Sequence, residues 1–512
     1  MRTIRHLVDS RAAAQPAATY LIAPETGATM TYGQLQHFSR SLTAYLLGLG
    51  LVKGDKVALM LHNSYQTARL LIGVMYGGFM VAPLNLLAQP SQLRYVLDHS
   101  DTRVVFTSEE FAGRLHEALS GVSRDIRVVA VDPDATDLFD DVTRTGVPLP
   151  EVTESDDALL MYTSGTTGKP KGCVLSNRSV VAGGQFTSDA HELDHSDRVL
   201  CAMPLYHING QIVTTVAPIA HGGSVVLPHR FSVSNYWELV TRHGCTWINV
   251  VPTIIAYLLN APDPRAGGLD ISRVKFCRSA SAPLPPELHR AFEDKFGIGI
   301  IETFGMTETN APCFTNPYDP KKRKIGSPGT AYGNEAKVID PNTGIEQPRG
   351  TPGELMVRGD NVMTGYYKDP ENTAKTLEPD GWMHTGDVGY MDEDGFVFVT
   401  GRIKELIIKG GENIAPREID EALLKHPAVL EAAAVGIPDS NYGQEIMACV
   451  ILKPGETCTA EELAAFSTQE LGKYKTPKII KFVSDLPKGP SGKVQRLKLL
   501  ENQPGAVTSS QS

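Results

Sequence analysis

The segment from residue 161 to 176, MYTSGTTGKPKGCVLS, holds the residue types in this chain that are best suited to chemistry. An apolar strand runs into two glycines, four hydroxyl side chains and two lysines, and the chain then returns to apolar residues. Glycines let backbone N–H groups approach phosphate oxygens, hydroxyls add donors, and lysines neutralise negative charge. The segment therefore predicts a loop that binds a polyphosphate.

Two other interpretations of this loop are weaker. A Walker A loop needs Gly-Lys followed by Ser or Thr as a magnesium ligand, whereas Gly168-Lys169 is followed here by Pro170. A flexible surface loop rich in Ser and Gly is the simpler alternative, and the flanking strand and the doubled lysines disfavour it.

The composition limits what the rest of the chain can be. At 512 residues, with 42% hydrophobic and 21% charged residues, it is typical of a folded protein of two to four domains. The net charge of −10 opposes electrostatic capture of nucleic acid or of an anionic membrane surface. We therefore expect phosphate to be held locally, with no nucleic-acid partner.

The cysteines and the apolar runs indicate the cellular compartment in which the protein is expected. The seven cysteines are scattered and never form C-x-x-C, which argues against a disulfide framework or a thiolate zinc site. Charged residues interrupt the first twenty positions, so a signal peptide is not expected, and no run of 18 apolar residues predicts a membrane span. A cytoplasmic location is the expectation.

The elements that must position the loop follow a β-α-β rhythm through the first four hundred residues. DKVALML (55–61), a helical stretch and MVAPLN give one instance, and the apolar runs TRVVFTS, DALLMYTS, DRVLCAMPL and CTWINVVPT predict further strands. Residues 327–398 carry short strands with Gly and Pro turns, which predicts a β-rich subdomain. After residue 401 a helix beginning near Pro416, further strands and a second helix predict a compact α+β unit.

Seven motifs, in order, resemble those of the superfamily of AMP-forming acyl-CoA synthetases, adenylation domains and firefly luciferase. They are YTSGTTGKPKG (162–172), PLYHING (204–210), SASAPLP (279–285), ETFGMTE (302–308), GWMHTGD (381–387), GRIKELIIKGGENIAPREIDE (401–421) and PKGPSGKVQR (487–496). The resemblance implies an α/β fold with a large N-terminal domain of two sheet-bearing subdomains plus a β-rich one, followed by a small mobile α+β domain. The implied boundaries are 1–401 for the AMP-binding domain, with its β-rich part at about 327–400, 402–404 for a hinge and 405–512 for the C-terminal domain.

The activity implied by the resemblance is ligation of a carboxylic acid to coenzyme A, with ATP and Mg²⁺, through an acyl-adenylate. The β- and γ-phosphates are assigned to the loop, with Thr307 on the α-phosphate and Glu308 holding Mg²⁺, a hard cation that prefers carboxylate and phosphate oxygens. The loop residues concerned are Thr163, Ser164, Gly165, Thr166, Thr167, Gly168 and Lys171.

The nucleoside is assigned to residues of four other motifs. Asp387 resembles the carboxylate that accepts both ribose hydroxyls, and Arg402 the arginine that contacts the ribose near the hinge. Ala282 and Phe304 fall where the family packs adenine, and Phe304 replaces the commoner tyrosine while keeping the stacking face.

The resemblance assigns the two half-reactions to different residues. Lys493 matches the adenylation lysine that bridges the carboxylate and the α-phosphate. Lys404 matches the hinge position, about which rotation is expected to replace Lys493 by Gly410-Gly411, whose missing side chains admit the pantetheine arm. His207 matches an aromatic position beside the acyl pocket that gates the carboxylate or the thiol path; a buried, hydrogen-bonded imidazole is the alternative.

Several other functions remain as alternatives. HELDH (191–195) has the H-E-x-x-H pattern of a helical zinc site, but the Asp and Ser residues around it predict a loop. A peptide-synthetase module that loads a carrier protein would normally have an aspartate near PLYHING, and none lies there. A luciferase-like oxygenase shares these motifs, and a nucleotide-binding pseudoenzyme is disfavoured by retention of Glu308, Asp387 and Lys493.

The acid is expected to be short or polar, with oxalate, malonate and sulfoacetate as examples. The pocket candidates by family position include polar or bulky residues: His207, Asn209, Trp247, Asn249, Ala280 and 309–313. The context of CRSASAPLPPEL resembles the oxalyl-CoA synthetase branch, and Arg278 or His229-Arg230 would be the counter-charge for a second anionic group. A medium-chain or aromatic acid is the alternative.

Overall fold

The computed structural model of the protein describes residues 2–139, 148–163, 170–488 and 494–500. These residues alternate between strands and helices and form several sheets, which confirms the predicted α/β class. They divide into two compact units, one within 1–284, 288–335 and 357–383, and one within 285–287, 336–356 and 384–512. The boundary expected at residue 401 and the hinge at 402–404 stay predictions.

The strands carry the labels used below. They are β1 (Thr19–Ile22), β2 (Thr29–Thr31), β3 (Lys56–Met60), β4 (Met80–Pro83), β5 (Thr102–Thr107), β6 (Arg127–Ala130), β7 (Asp157–Thr163), β8 (Lys171–Ser176), β9 (Arg198–Cys201), β10 (Ser224–Val226), β11 (Trp247–Val250), β12 (Phe276–Ser279), β13 (Ile300–Met306), β14 (Ala311–Thr315), β15 (Thr330–Ala331), β16 (Asn334–Ile339), β17 (Gly353–Gly359), β18 (Gly365–Tyr366), β19 (Met383–Met391), β20 (Val397–Arg402), β21 (Ile407–Lys409), β22 (Glu412–Ile414), β23 (Val429–Asp439), β24 (Gly443–Leu452) and β25 (Ile479–Phe482).

The α-helices are labelled in the same way. They are α1 (Ile4–Ala14), α2 (Tyr32–Gly48), α3 (Tyr65–Tyr76), α4 (Pro90–His99), α5 (Glu109–Leu119), α6 (Asn177–Ala190), α7 (Ala217–His221), α8 (Tyr236–Arg242), α9 (Pro252–Asn260), α10 (Pro286–Phe296), α11 (Pro370–Thr376), α12 (Pro416–Leu424) and α13 (Ala460–Leu471). Among the described residues, no helix is both long and apolar enough to cross a membrane.

Two large sheets lie in the first unit. One has seven strands in the order β18-β8-β7-β4-β3-β5-β6, and the other has nine in the order β15-β14-β13-β12-β11-β9-β10-β1-β2. The predicted β-α-β unit is present, because β3 and β4 pair in parallel and α3 connects them. Ser64 caps α3 by accepting a hydrogen bond from the Thr67 amide, and every residue of this helix is buried.

The largest core of the first unit draws on both sheets. It combines residues of β3, β4 and β7 with residues of β9, β10 and β11, together with side chains from α2, α3 and α6. Because both faces of the parallel strands are covered, those strands are mostly apolar, as in the continuous run MVAP of β4. This packing gives a rigid base for the loops that follow the strands.

The β-rich and C-terminal stretches also match the sequence-based expectation. Residues 330–402 hold β15–β20 and one α-helix, α11, and β16, β17, β19 and β20 form a four-stranded sheet. In residues 407–482, β22, β21, β24 and β23 follow one another in a sheet, with β25 beside β24. Pro416 occupies the first turn of α12, where its missing N–H costs nothing.

Candidate active site

The candidate residues of the first unit gather at one edge of the nine-stranded sheet. The strands β9, β11, β12 and β13 are parallel neighbours, so their carboxyl ends lie together. Arg278 and Ser279 end β12, and Thr307 and Glu308 follow β13 directly. Open α/β sheets bind their ligands outside the carboxyl ends of the strands, so this edge is the candidate site.

The phosphate segment belongs to a hairpin of the seven-stranded sheet. β7 and β8 are antiparallel, and Thr163 lies opposite Lys171 where the loop begins and ends. Ser164, Gly165, Thr166, Thr167 and Gly168 lie outside the described residues, so their assigned contacts stay predictions.

Lys171 is held at the end of this hairpin by residues far away in sequence. Its Nζ donates to Asn372 Oδ1 at 2.6 Å and lies 5.1 Å from the ring centroid of Tyr366. Tyr366 pairs with Cys173 across β18 and β8, so the backbone ladder fixes Tyr366 beside the strand that carries Lys171. The lysine of the phosphate motif is therefore positioned by an amide oxygen and an aromatic face.

Glu308, the expected magnesium ligand, lies in a short 3₁₀ turn, Thr307–Thr309. It is 8% exposed, and its Oε1 accepts a hydrogen bond from the Tyr366 hydroxyl at 2.9 Å. The turn itself is held by the Asn361 side chain, which donates to the Thr309 carbonyl at 3.0 Å. A backbone bond from the Met363 amide to the Glu308 carbonyl, at 2.8 Å, adds to this support.

The donors here fit a magnesium ion that is bound together with a nucleotide. Among the described residues there is no group of three or more His, Cys, Asp or Glu side chains that could hold a metal ion. Mg²⁺ usually takes one or two carboxylates and completes its shell with waters and substrate phosphates. One carboxylate, Glu308, beside the Thr307 hydroxyl suits that mode of binding.

A buried arginine lies at the same sheet edge. Arg278 is 2% exposed, and its Nη1 donates to Asn249 Oδ1 at 2.9 Å and to Asn209 Oδ1 at 3.0 Å. Its Nε is buried and has no hydrogen-bond partner among the residues that the structure describes. Within the part of the chain that the structure describes, no carboxylate forms an ion pair with this guanidinium.

The charge of Arg278 is therefore poorly compensated. Burial lowers the pKa of its guanidinium to about 9. Burial also lowers the pKa of nearby His191 to about 3, with Arg278 as the next cause, so this imidazole is neutral and offers no negative charge. The site favours an anionic ligand beside Arg278.

The helix that presents Asn209 is unusual. Residues Asn209–Val216 form a π-helix, in which the Thr215 hydroxyl donates to the Gly210 carbonyl at 2.9 Å. Such turns are rare and occur often at functional sites. Asn209 Nδ2 also donates to Ser281 Oγ at 3.1 Å, and Ser281 has a φ of 72° without being glycine. A strained residue thus links the Arg278 cluster to the adjacent Ala282.

The remaining candidates differ in their burial and in their aromatic neighbours. His207 precedes the π-helix and its ring lies 4.7 Å from that of Tyr206, and Phe304 lies 5.6 Å from Phe314. Trp247 is fully buried and stacks on Phe276 at 5.5 Å, which makes it a core residue. The roles of His207, Ala282 and Phe304 toward substrates stay predictions.

His229 does not provide an unpaired counter-charge. Its Nε2 lies 2.9 Å from Asp134 Oδ1, and its backbone N–H donates to Glu25 Oε1 at 2.8 Å. Two carboxylates already serve this histidine, so Arg278 is the better candidate for binding a second anionic group.

The ribose candidates Asp387 and Arg402 belong to the second unit and pair with each other. They lie opposite one another across β19 and β20, with Arg402 Nε donating to Asp387 Oδ1 at 2.9 Å and Nη2 donating to Oδ2 at 3.4 Å. Asp387 is 3% exposed, so this ion pair places a positive charge beside a buried carboxyl group. Their contacts with ribose stay predictions.

Gly410 and Gly411 form a two-residue turn between β21 and β22. Their φ values are 57° and 86°, the positive angles that this kind of hairpin turn needs at both positions. A Cβ on Gly410 would come within 2.9 Å of the Tyr474 hydroxyl, whereas a Cβ on Gly411 would meet nothing within 4 Å. The positive φ values thus favour glycine at both positions, in addition to the expected path for pantetheine. Lys493 lies outside the described residues.

The H-E-x-x-H pattern does not lie on a helix. α6 ends at Ala190, His191 follows as its buried C-cap, and Asp194 closes a turn with Ser196. The expected loop is therefore present. His191 packs on Phe276, 5.3 Å between ring centroids.

Sequence reasoning missed three residues that organise the site. Tyr366 and Asn372 lie about two hundred residues from Lys171, and no spacing rule connects them to the phosphate motif. Ser281 was part of a recognised motif, but its positive φ has no sequence signature, since serine rarely adopts it.

Comparison with known proteins adds a family to this geometry. The model of the AMP-binding enzyme family matches residues 8–367, and that of the AMP-binding enzyme C-terminal domain matches residues 418–493. The first match covers the four motifs between residues 162 and 308, and the second covers parts of the last two motifs.

Individual relatives agree over almost their full length. The chain is 53% identical over 502 residues to the sulfoacetate–CoA ligase of Cupriavidus necator, covering 98% of each chain. It is 33% identical to the oxalate–CoA ligase of Arabidopsis thaliana, covering 91% of this chain and 92% of that one. ATP-bound MatB from Rhodopseudomonas palustris superimposes with a TM-score of 0.89 at 30% identity, over 97% and 98% of the two chains, which confirms the predicted fold.

Proposed function

The chain belongs to the AMP-binding enzyme family and is an AMP-forming carboxylate–CoA ligase, and we propose that its acid carries a second anionic group, with sulfoacetate as the first candidate. It joins a short, polar carboxylic acid to coenzyme A through an acyl-adenylate, using ATP and Mg²⁺. The single observation that carries the proposal about the acid is that the buried Arg278 has no carboxylate partner among the described residues.

A buried charge without a counter-charge is costly, and proteins rarely keep one without a function. The two oxygens that Arg278 contacts belong to the neutral amides of Asn209 and Asn249, so the guanidinium keeps its full charge for a ligand. A sulfonate or a second carboxylate offers that charge with oxygens that a guanidinium binds well. An acyl chain would instead leave the arginine buried against hydrocarbon.

The name of the Cupriavidus relative supports a sulfonate as the second group. In sulfoacetate, one carbon separates the sulfonate from the carboxylate. Arg278 at the end of β12 and Glu308 after β13 lie on neighbouring parallel strands, so one small acid suits the same sheet edge. The sulfonate would bind at Arg278 and the carboxylate would face the nucleotide.

The first half-reaction joins two anions. A carboxylate oxygen attacks the α-phosphorus of ATP, an O–P bond forms, and the bond to the bridging oxygen breaks so that pyrophosphate leaves with the electron pair. Lys171 and the N–H and hydroxyl groups of the phosphate hairpin hold the β- and γ-phosphates, Thr307 contacts the α-phosphate, and Lys493 bridges the two reactants. Glu308 would hold Mg²⁺, which would supply positive charge against the phosphates.

In the second half-reaction the thiol sulfur of coenzyme A attacks the acyl carbon. The C–O bond to AMP breaks, AMP leaves, and the thiol proton passes to solvent. Asp387 and Arg402 hold the ribose, Ala282 and Phe304 pack the adenine, and Gly410-Gly411 admit the pantetheine arm. His207 gates the path to the acyl carbon.

We also propose a cytoplasmic location. All seven cysteines lie in the described residues, and no disulfide joins them. A reducing compartment keeps thiols in this state.

The experiment that tests the function measures acid-dependent exchange of pyrophosphate into ATP, and then CoA-dependent AMP release. The acids are sulfoacetate, malonate, oxalate, acetate, benzoate and octanoate. We expect the dianions to exceed acetate in kcat/KM by about 10²-fold or more, the scale of a buried charge contact. A preference for octanoate or benzoate would overturn the dianion proposal, and the absence of exchange with every acid would overturn the ligase assignment. Transfer to a carrier protein in place of CoA would identify the loading alternative.

A further inference from the structure

Tyr366 touches both charged groups that the proposed function assigns to the triphosphate and its metal. Its hydroxyl donates to Glu308 Oε1 at 2.9 Å, and its ring centroid lies 5.1 Å from Lys171 Nζ. The carboxylate is thus at the hydroxyl edge of the ring and the ammonium is at its face, where the π-electrons are negative. One side chain contacts a cation and an anion of the same site.

We propose that Tyr366 is the positioning residue for Mg²⁺ binding, which it controls by fixing the Glu308 carboxylate. The inference rests on the proposed function, because it takes Glu308 as the metal ligand. Tyr366 itself touches neither substrate nor metal in this proposal.

The first support is the direction of the hydrogen bond between the two side chains. A carboxylate accepts hydrogen bonds, so the Tyr366 hydroxyl is the donor to Glu308 Oε1. This donor sets the orientation of the carboxylate in the absence of a ligand.

The second support is that the hydrogen bond uses one carboxylate oxygen. Tyr366 donates to Oε1, and among the described residues Oε2 accepts no hydrogen bond, which leaves it for a metal ion. Partners that orient a metal-ligating carboxylate raise its effective affinity, and their removal typically costs about 10- to 100-fold in metal binding.

The third support is that the backbone around Tyr366 is itself fixed. Its amide N–H donates to Thr373 Oγ1 at 2.9 Å, and its strand pairs with β8. Because β8 belongs to the seven-stranded sheet and Glu308 follows a strand of the nine-stranded sheet, the Tyr366–Glu308 bond joins the two sheets at the site. This bond orients the Glu308 side chain relative to the phosphate hairpin, while the Met363 amide holds the backbone of the same turn.

The neighbouring tyrosine provides a matched control. Tyr367 donates its hydroxyl to Asp101 Oδ2 at 2.7 Å and has Lys368 Nζ 5.3 Å from its ring centroid. It is therefore also a half-buried phenol between a carboxylate and a lysine, but it contacts neither Glu308 nor Lys171. Tyr366→Phe and Tyr367→Phe each remove one hydroxyl and keep the ring.

The test measures Mn²⁺, as a spectroscopic substitute for Mg²⁺, binding to each variant in the presence of α,β-methylene-ATP. This analogue cannot release pyrophosphate, so the dissociation constant reports metal binding without turnover. We expect Tyr366→Phe to weaken Mn²⁺ binding about tenfold, and Tyr367→Phe to bind within twofold of wild type. A change below fivefold in Tyr366→Phe, or an equal change in Tyr367→Phe, would overturn the proposal.

Two further measurements separate positioning from a general loss of structure. In pyrophosphate exchange, Tyr366→Phe should raise the Mg²⁺ concentration for half-maximal rate about tenfold, with kcat at saturating Mg²⁺ within threefold of wild type. In a Glu308→Gln background, adding Tyr366→Phe should change Mn²⁺ binding less than twofold. A lowered kcat with an unchanged Mg²⁺ requirement would overturn the proposal.

The failure of this inference is distinguishable from failure of the proposed function. Wild-type protein without acid-dependent exchange would remove the premise. Wild-type exchange together with unaltered metal binding in Tyr366→Phe would remove the role of Tyr366 alone.

Discussion

Each unit of the molecule holds an arginine that is largely shielded from solvent, and the two arginines have opposite surroundings. In the second unit, Arg496 donates to the Asp420 carboxylate and to the Ala434 carbonyl at 3.0 Å, and its Nε lies 3.4 Å from Glu405 Oε2. In the first unit, Arg278 contacts only the amide oxygens of two asparagines among the described residues.

The pKa values of the two arginines shift in opposite directions. Burial alone would lower the pKa of Arg496, but the Asp420 carboxylate outweighs it and raises this pKa. Burial of Arg278 meets no such opposition, and its pKa falls to about 9. Arg496 is therefore folded together with its carboxylate, whereas Arg278 has none among the described residues, and we propose that its ligand supplies the negative charge.

The largest effect is expected when Arg278 is replaced by Met. The activity with sulfoacetate or malonate should fall by about 10²- to 10³-fold in kcat/KM, because the second anionic group loses its counter-charge. Exchange of amide hydrogens in β11 and β12 should stay at the wild-type rate or become slower, because a buried charge has been removed. Equal losses with acetate and with the dianions would contradict the assignment.

The same replacement at Arg496 should act on stability instead. Arg496→Met leaves Asp420 buried beside an apolar side chain, which should lower the free energy of local unfolding by about 3 kcal/mol. Faster hydrogen exchange in β23 and β24 of the full chain would measure this loss. Adding Asp420→Leu should restore most of the protection against hydrogen exchange. If Arg496→Met left the exchange rates unchanged, the contrast between the two arginines would be wrong.

A smaller effect is expected from pH. The guanidinium of Arg278 is charged below its folded pKa of about 9 and loses its proton above it. The KM for a dianionic acid should therefore rise by up to about tenfold per pH unit above that value, and stay level from pH 7 to 8.5. Since the folded pKa lies below that of an unfolded chain, the penalty for burying this charge also shrinks as pH rises above about 9. A KM that is flat to pH 10, or that rises equally in Arg278→Met, would refute the titration.

The smallest effect is expected at Gly411 and tests whether the second unit binds a substrate. Gly411→Ala should lower stability by about 1 kcal/mol, because alanine is strained at a φ of 86° while its Cβ meets nothing within 4 Å. Pyrophosphate exchange should be unchanged, and thioester formation should fall about tenfold if the turn admits pantetheine.

Gly455→Ala is the matched control for that variant. Gly455 lies in the same unit with a φ of 83°, and its Cβ would also meet nothing within 4 Å. Both variants should lose similar stability, measured by thermal unfolding. Similar thioester rates in the two would limit Gly411 to its role in the hairpin.

The sequence could predict much of the fold because its elements follow local rules. The parallel strands of the first unit are short apolar runs such as MVAP, and α12 begins at Pro416 as its capping pattern predicts. The order of strands in the two large sheets could not be predicted, because it depends on crossover connections that no local pattern records.

The candidate site was predictable where motifs are contiguous and not where side chains meet across long sequence distances. Glu308 and Arg278 could be named from their motifs. The tyrosine 58 positions from Glu308 that donates to it could not, since the contact arises only when two sheets are packed together. The packing of Trp247 could not be predicted either, because its burial depends on Phe276 and His191, which lie on separate elements.

The π-helix at Asn209–Val216 has a consequence for how acid preference can change. A π-helix carries one more residue per hydrogen-bonded ring than an α-helix, so deleting a single residue from it allows an ordinary i→i+4 ladder. The residues before the deletion would then turn by about 100° around the axis, and Asn209 would leave both Arg278 and Ser281. Altered length in this one segment, with no substitution at the arginine, is thus a route by which such an enzyme acquires a different acid.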